Sequence, residues 1–134
     1  MKIDGLRAFA ATAVTAMMLM LAPAHAGPLQ EVDVRQAQQM KSQGALLLDV
    51  RETDEYANGH APGSVLIPVG QLEQRLKEIE GYRNQPVAVI CRSGRRSAAA
   101  TQILQKAGFS AARNVGGGMN AWEKAGLPII TGVK

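Results

Sequence analysis

Apolar residues fall along this chain in two alternating rhythms. Short unbroken runs, rich in β-branched side chains, are the mark of strands buried on both faces of a parallel sheet. Ala45–Val50 (ALLLDV) and Val87–Ile90 (VAVI) are the two strongest. Pro28–Val32, Ser64–Pro68 and Ala111–Val115 are weaker strand candidates. Between them the apolar positions move to helical spacing. Val34, Ala37 and Met40 stripe a helix over Val34–Gln43 that Asp33 can cap and Gly44 can end. Glu52–Asn58 is a short helix. Gln71–Ile79 is amphipathic, with Leu72, Leu76 and Ile79 on one side and Glu73, Gln74, Lys77 and Glu78 on the other. Ser97 opens an alanine-rich helix whose face is Ala100, Ile103, Leu104 and Ala107, ended by Gly108. Met119–Ala125 is a last short helix, with Trp122 inward and Gly126 and Pro128 as stops. Strand and helix alternate throughout. The expected fold class is therefore α/β, a mainly parallel central sheet of about five strands flanked by helices on both faces.

Residues 1–26 stand apart. Lys2 and Arg7 form a basic start, Ala8–Ala22 is uncharged and mostly apolar, and Ala24-His25-Ala26 fits an A-x-A cleavage site after Pro23. The strongly apolar part is shorter than the roughly 20 residues of a membrane-spanning helix. The expectation is a secretory signal peptide over 1–26, a single domain over 27–134, export to the periplasm, and no stable membrane insertion after cleavage. Losing Lys2, Arg7 and Asp4 takes the formal charge from +4 to +3, which does not argue for nucleic acid. Aromatics make up only 4% of the chain, so the core must be aliphatic.

Cys91 is the only cysteine, so an internal disulfide is excluded. An odd cysteine in an exported chain points to intermolecular pairing or to a working thiol. After cleavage His60 is the only histidine, and with one distant cysteine it makes no metal-ligand set, so no metal is expected. The position of Cys91 favours the working thiol. It follows the VAVI strand and precedes a helix, with Arg92, Ser93, Gly94, Arg95, Arg96 and Ser97 after it. Ligands of open α/β sheets sit at the carboxyl ends of strands. Unpaired amides at a helix N-terminus and in a tight loop hold anions. Helix N-termini with nearby cations lower a thiol's pKa, so Cys91 is expected to be a thiolate facing a small anionic substrate. The competing reading is a buried core cysteine acting as a small hydrophobe.

CRSGRRS resembles the active-site loop of rhodanese-type sulfurtransferases. Leu46–Pro68 (LLLDVRETDEYANGHAPGSVLIP) resembles the family's Asp-Val-Arg, Glu-Tyr, Gly-His and Pro-Gly signature. Asn114–Ile129 (NVGGGMNAWEKAGLPI) resembles its closing Gly-Gly, Trp and Gly-Leu-Pro pattern. The resemblance covers nearly all of the chain after about residue 29. It implies a rhodanese-like fold and a sulfurtransferase using Cys91, with a small anionic donor such as thiosulfate and with cyanide or a thiol, a protein thiol included, as acceptor. No cofactor is implied, and the enzyme is taken as a monomer. Residues 92–97 would bind substrate, Arg96 alternatively pairing with a scaffold carboxylate. Asp49, Arg51, Glu55 and His60 would support the site: Asp49 and Arg51 as an ion pair or capping charge, and His60 by fixing its loop in preference to moving a proton. The Gly116–Gly118 run, with no lysine after it, is read as a close-approach turn and not as a phosphate loop. Two other readings stay open. Cysteine phosphatases and arsenate reductases use Cys-x5-Arg where this loop has Cys-x4-Arg to Arg96. Rhodanese-like modules lacking the cysteine bind without catalysing.

Overall fold

The computed structural model describes residues 30–133. The leader over 1–26 lies outside these residues, as does the start of the Pro28–Val32 candidate. Five strands are seen: β1 (Glu31–Val32), β2 (Leu46–Asp49), β3 (Val65–Leu66), β4 (Val87–Ile90) and β5 (Ala112–Val115). Four α-helices accompany them: α1 (Val34–Ser42), α2 (Thr53–Asn58), α3 (Arg95–Lys106) and α4 (Gly118–Lys124). The strands form one sheet in the order β1-β5-β4-β2-β3, and every pairing is parallel.

Alternation along the buried runs sends neighbouring side chains to opposite faces. Leu46, Leu48, Val87, Val89 and Cys91 join Ala100, Leu104 and Phe109 on the α3 side. Leu47, Ala88 and Ile90 join Val34, Ala37, Met119 and Trp122 on the α1 and α4 side. Cys91 therefore belongs to the α3 face by register. Trp122 turns inward as expected, and its indole N–H donates to the Pro128 carbonyl at 2.8 Å.

The α1 start follows the sequence closely. Asp33 accepts from the Gln36 amide at 2.8 Å, and the Gln36 side chain accepts from the Asp33 amide at 2.8 Å. Two expectations need correction. The amphipathic stretch Gln71–Ile79 is not an α-helix but part of successive 3-10 turns, Val69–Gln71 and Glu73–Tyr82, interrupted at Arg75 and Ile79. Residues i and i+3 eclipse in 3-10 geometry, and the outer face is laced by Arg75–Glu78 and Arg83–Glu80 pairs at that spacing. The inward positions are the expected ones: Leu72 and Ile79 are buried and Leu76 packs against the same core. Helix α3 begins at Arg95, not at Ser97. Its cap is Gly94 in a left-handed conformation (φ 104°), with no side-chain capping bond to signal the start. Arg95 and Arg96 thus lie in the first turn of the helix.

From β2 the chain moves outward to β3; from β4 it moves the other way to β5 and β1. The strand order reverses between β2 and β4, and their carboxyl ends frame the crevice where such sheets bind ligands. The Val50 amide, donating to the Ile90 carbonyl at 2.9 Å, ties the two ends together.

At the end of β2, Asp49 and Arg51 form a buried fork, 0% and 1% exposed. Arg51 Nη2 donates to Asp49 Oδ2 at 2.8 Å and its Nε to Oδ1 at 3.0 Å. The same guanidinium donates to the Gly59 carbonyl at 2.8 Å, which pins the end of α2 against β2. Removing one partner of a buried pair leaves the other charge uncompensated. Asp49→Ala is expected to destabilise the fold by about 3–5 kcal/mol, read as a lower urea midpoint at unchanged slope. A loss under about 1 kcal/mol, the range of a surface pair, would remove the fork from this role.

Candidate active site

Cys91 directly follows β4, with its Sγ under the first turn of α3. Three donors converge on that sulfur: the Gly94 amide at 3.1 Å, the Ser97 amide at 3.3 Å and the Ser97 hydroxyl at 3.2 Å. The residue is 1% exposed and its carbon side packs in the α3 core. The position is a core position, and the sulfur within it is surrounded by hydrogen-bond donors. Burial pushes the thiol pKa up, but the Ser97 hydroxyl and the Ser97, Gly94 and Ser93 amides outweigh it, so the pKa lies below the ordinary value. This revises the expected cause: the hydrogen-bonded cradle leads, not the arginine charges.

The cradle is held from two sides. Thr101 Oγ1 donates to the Ser97 carbonyl at 2.7 Å, fixing the first turn of α3. Opposite, the N-terminus of α4 clasps the loop: the Met119 amide donates to the Cys91 carbonyl at 2.7 Å and the Asn120 amide to the Arg92 carbonyl at 3.0 Å. Gly118 makes that approach possible. A Cβ there would meet the Cys91 carbonyl oxygen and would lie 2.6 Å from the Arg92 carbonyl, at a φ of 53°. The Gly116–Gly118 run is thus the close-approach turn its composition suggested. Asn114, buried on β5, was not singled out from the sequence. Its Nδ2 donates to Glu31 Oε2 at 2.9 Å and to the Gly94 carbonyl at 3.3 Å, tethering the α3 cap to the sheet. An asparagine in a strand carries no pattern that would have marked it.

The arginines divide into three states. Arg96 makes a two-pronged pair with Glu55, Nη1 to Oε1 at 2.7 Å and Nη2 to Oε2 at 2.9 Å. That guanidinium holds the Glu55 carboxyl down at about 2, against a smaller opposing effect of burial. The pair's stabilisation is present above the unfolded carboxyl pKa of about 4.3 and is lost as pH falls toward about 2. Arg92 is exposed and loosely engaged, 3.4 Å from Glu55 Oε2 and 3.5 Å from Asn120 Oδ1. Arg95 is exposed and makes no ion pair among the described residues. Ser93 is exposed at the crown of the loop.

His60 is buried, stacked on Tyr56 with ring centroids 3.6 Å apart. Its Nδ1 donates to the Tyr56 carbonyl at 2.8 Å. Its backbone exchanges two 2.9 Å bonds with Ile130, a contact the sequence did not suggest. Asp49, Arg51 and His60 thus organise the α2 segment, and Glu55 projects from that segment to the Cys91 loop. The Cys91–Ser97 loop and Glu55 come together; the Asp49–Arg51 fork stands behind them.

Comparison with known proteins agrees with this geometry. A Bacillus subtilis (strain 168) protein, YrkF, named for a proposed sulfur-carrier role, is 45% identical over 76 residues, or 57% of this chain. The chain spans only 40% of that protein's length. Thiosulfate sulfurtransferase 18 of Arabidopsis thaliana is 36% identical over 112 residues, covering 75% of this chain and 82% of its own. The crystal structure of a rhodanese-related protein from Thermoplasma volcanium superposes with a TM-score of 0.68 at 32% identity, over 75% of this chain and 97% of that one. Residues 32–125 match the Rhodanese-like domain family, and the chain belongs to that family.

Proposed function

We propose that this protein is a thiosulfate-type sulfurtransferase that carries sulfur as a persulfide on Cys91. The observation that carries the reading is the convergence of three donors on Sγ at the end of β4. A thiolate so held attacks the outer sulfur of thiosulfate. The new S–S bond forms to Cys91, the old one breaks, and its electron pair leaves with sulfite. The outer sulfur of the resulting anionic persulfide is then taken by cyanide or a thiol, a protein thiol included, which returns the thiolate. This is two-step covalent catalysis. The Arg95 and Arg96 amides of the first α3 turn donate to no backbone carbonyl among the described residues, which leaves them as donors for the second sulfur of the persulfide. Arg92 and Arg95 attract the donor, and Asp49, Arg51, Glu55 and His60 support the loop. The cradle donors end on Sγ itself, which suits a single added sulfur better than a tetrahedral oxyanion. The sulfurtransferases and the sulfur carrier among the relatives support the same reading.

Intact mass after thiosulfate tests it. One added sulfur is expected, removed by cyanide and missing in Cys91→Ser. No added sulfur, with turnover of an aryl phosphate, would replace the reading with phosphatase chemistry. No added sulfur and no turnover would leave a binding module.

The depressed thiol pKa has its own signature. Alkylation of Cys91 by iodoacetamide is expected to reach half its maximal rate below the free-thiol value of about 8.5. Ser97→Ala removes a donor to the thiolate, so the midpoint should move up and the rate at neutral pH fall. An unmoved midpoint would take Ser97 out of the cradle.

Residues 1–26 are proposed to direct export and to be removed between Ala26 and Gly27. N-terminal sequencing of protein recovered from the periplasm should then begin at Gly27. Recovery from the cytoplasm with residue 1 or 2 at the start would overturn this.

A further inference from the structure

Three arginines follow Cys91 within five positions, yet the structure leaves them unequal. Arg96 is closed onto Glu55 by two short bonds, and Glu55 Oε2 also faces Arg92 Nε at 3.4 Å. Glu55 reaches the loop from α2, some 41 residues upstream of Arg96. Glu55 is held at both ends: Arg51 Nη1 lies 3.4 Å from its backbone carbonyl, and the Glu52 amide donates to its side-chain Oε1 at 3.1 Å. A small cavity between α2 and α4 has Glu55, Asn58, Arg92, Met119 and Glu123 in its wall. Two carboxylates, Glu55 and Glu123, thus share that wall with Arg92.

We propose that Glu55 is a specificity-determining residue: by neutralising Arg96 and drawing on Arg92, it lowers the positive potential over Cys91 and favours sulfur donors of single negative charge over dianions. This rests on the sulfurtransferase reading and narrows its substrate class. Thiosulfate, a dianion, is still a donor, but thiosulfonates and persulfides, which carry one charge and end in a transferable sulfur, are favoured over it. The argument is electrostatic. The energy of a bound anion is its charge times the local potential, so a dianion gains twice what a monoanion gains when a nearby negative charge is removed. The fold-changes are therefore related by a square. The chemistry at Cys91 is the same for both classes. A thiosulfonate RSO2S⁻ gives its outer sulfur to the thiolate and leaves as the sulfinate RSO2⁻, just as thiosulfate leaves as sulfite.

The test compares the full-length protein with Glu55→Gln, which keeps the shape and one acceptor oxygen while losing the charge. Two donors are used, thiosulfate and benzenethiosulfonate, and sulfate serves as a non-reacting dianion that shields Cys91 from iodoacetamide. At low salt, Glu55→Gln should lower KM for benzenethiosulfonate about threefold and KM for thiosulfate about tenfold, and tighten sulfate protection about tenfold. The difference between donors should shrink at high ionic strength, where exposed charges are screened beyond about 3 Å. The charge-balanced double variant Glu55→Gln/Arg96→Gln should bring all three back toward the parent values. Equal changes for the two donors, a rise in KM for both, or a double variant that keeps the full gain would overturn the proposal and leave Glu55 as a loop support. Failure of the sulfurtransferase reading is seen separately, as a parent protein that takes up no sulfur, and sulfate protection still decides the role of Glu55 in that event.

Discussion

A negative sulfur at the end of a buried strand is tolerable only where donors reach it in place of water. Here the Gly94 and Ser97 amides and the Ser97 hydroxyl do so together, and much of the architecture sets their aim. Strand β4 is central and paired on both sides, so Cys91 cannot shift along it. Helix α3 must begin where its first amides point back at Sγ, and only a residue comfortable at positive φ allows that turn at position 94. The loop carbonyls, turned away from the sulfur, must find donors of their own, and α4 supplies them through Met119 and Asn120. The glycines at 94 and 118 are thus two halves of one requirement: amides inward, carbonyls outward, with no Cβ in the way.

Much of this was legible along the chain. VAVI and ALLLDV are short, β-branched-rich or aliphatic runs that suit strands covered on both faces, and the thiol follows the first. Asp33 announced α1 because a side-chain cap is a local signal. The start of α3 was misplaced by two residues because its cap is a backbone conformation, which leaves no side-chain trace beyond one glycine. The 3-10 turns after β3 were hidden for a related reason: Leu72, Leu76 and Ile79 satisfy helical spacing, and i,i+3 ion pairs are compatible with either geometry.

The site was less legible than the fold where it depends on long-range contacts. Arg96 had two possible partners in the sequence, a ligand or a carboxylate, and only the folding of α2 against the β2 end brings Glu55 within 2.7 Å. Asn114 and the α4 amides act through main-chain carbonyls, to which side-chain pattern is blind. The arginine-rich loop invited a charge explanation for the lowered thiol pKa. The folded geometry shows why hydrogen bonds lead: they end on the sulfur, whereas Arg96 is committed to Glu55 and Arg92 and Arg95 are exposed to solvent, where their fields are weakened.

The single tryptophan has a consequence for how this molecule is observed. Trp122 lies in the core layer of α1 and α4, while Leu72, Leu104 and Phe109 fill the opposite layer across the sheet. Emission at tryptophan wavelengths therefore comes from one layer alone. It also comes from the helix that grips the Cys91 loop, three residues from Met119. A fluorescence melting curve reports the α4 layer and its clasp directly, and the α3 layer only in so far as the two come apart together. Circular dichroism recorded beside it samples both, so the gap between the two curves measures how tightly the sheet couples its faces.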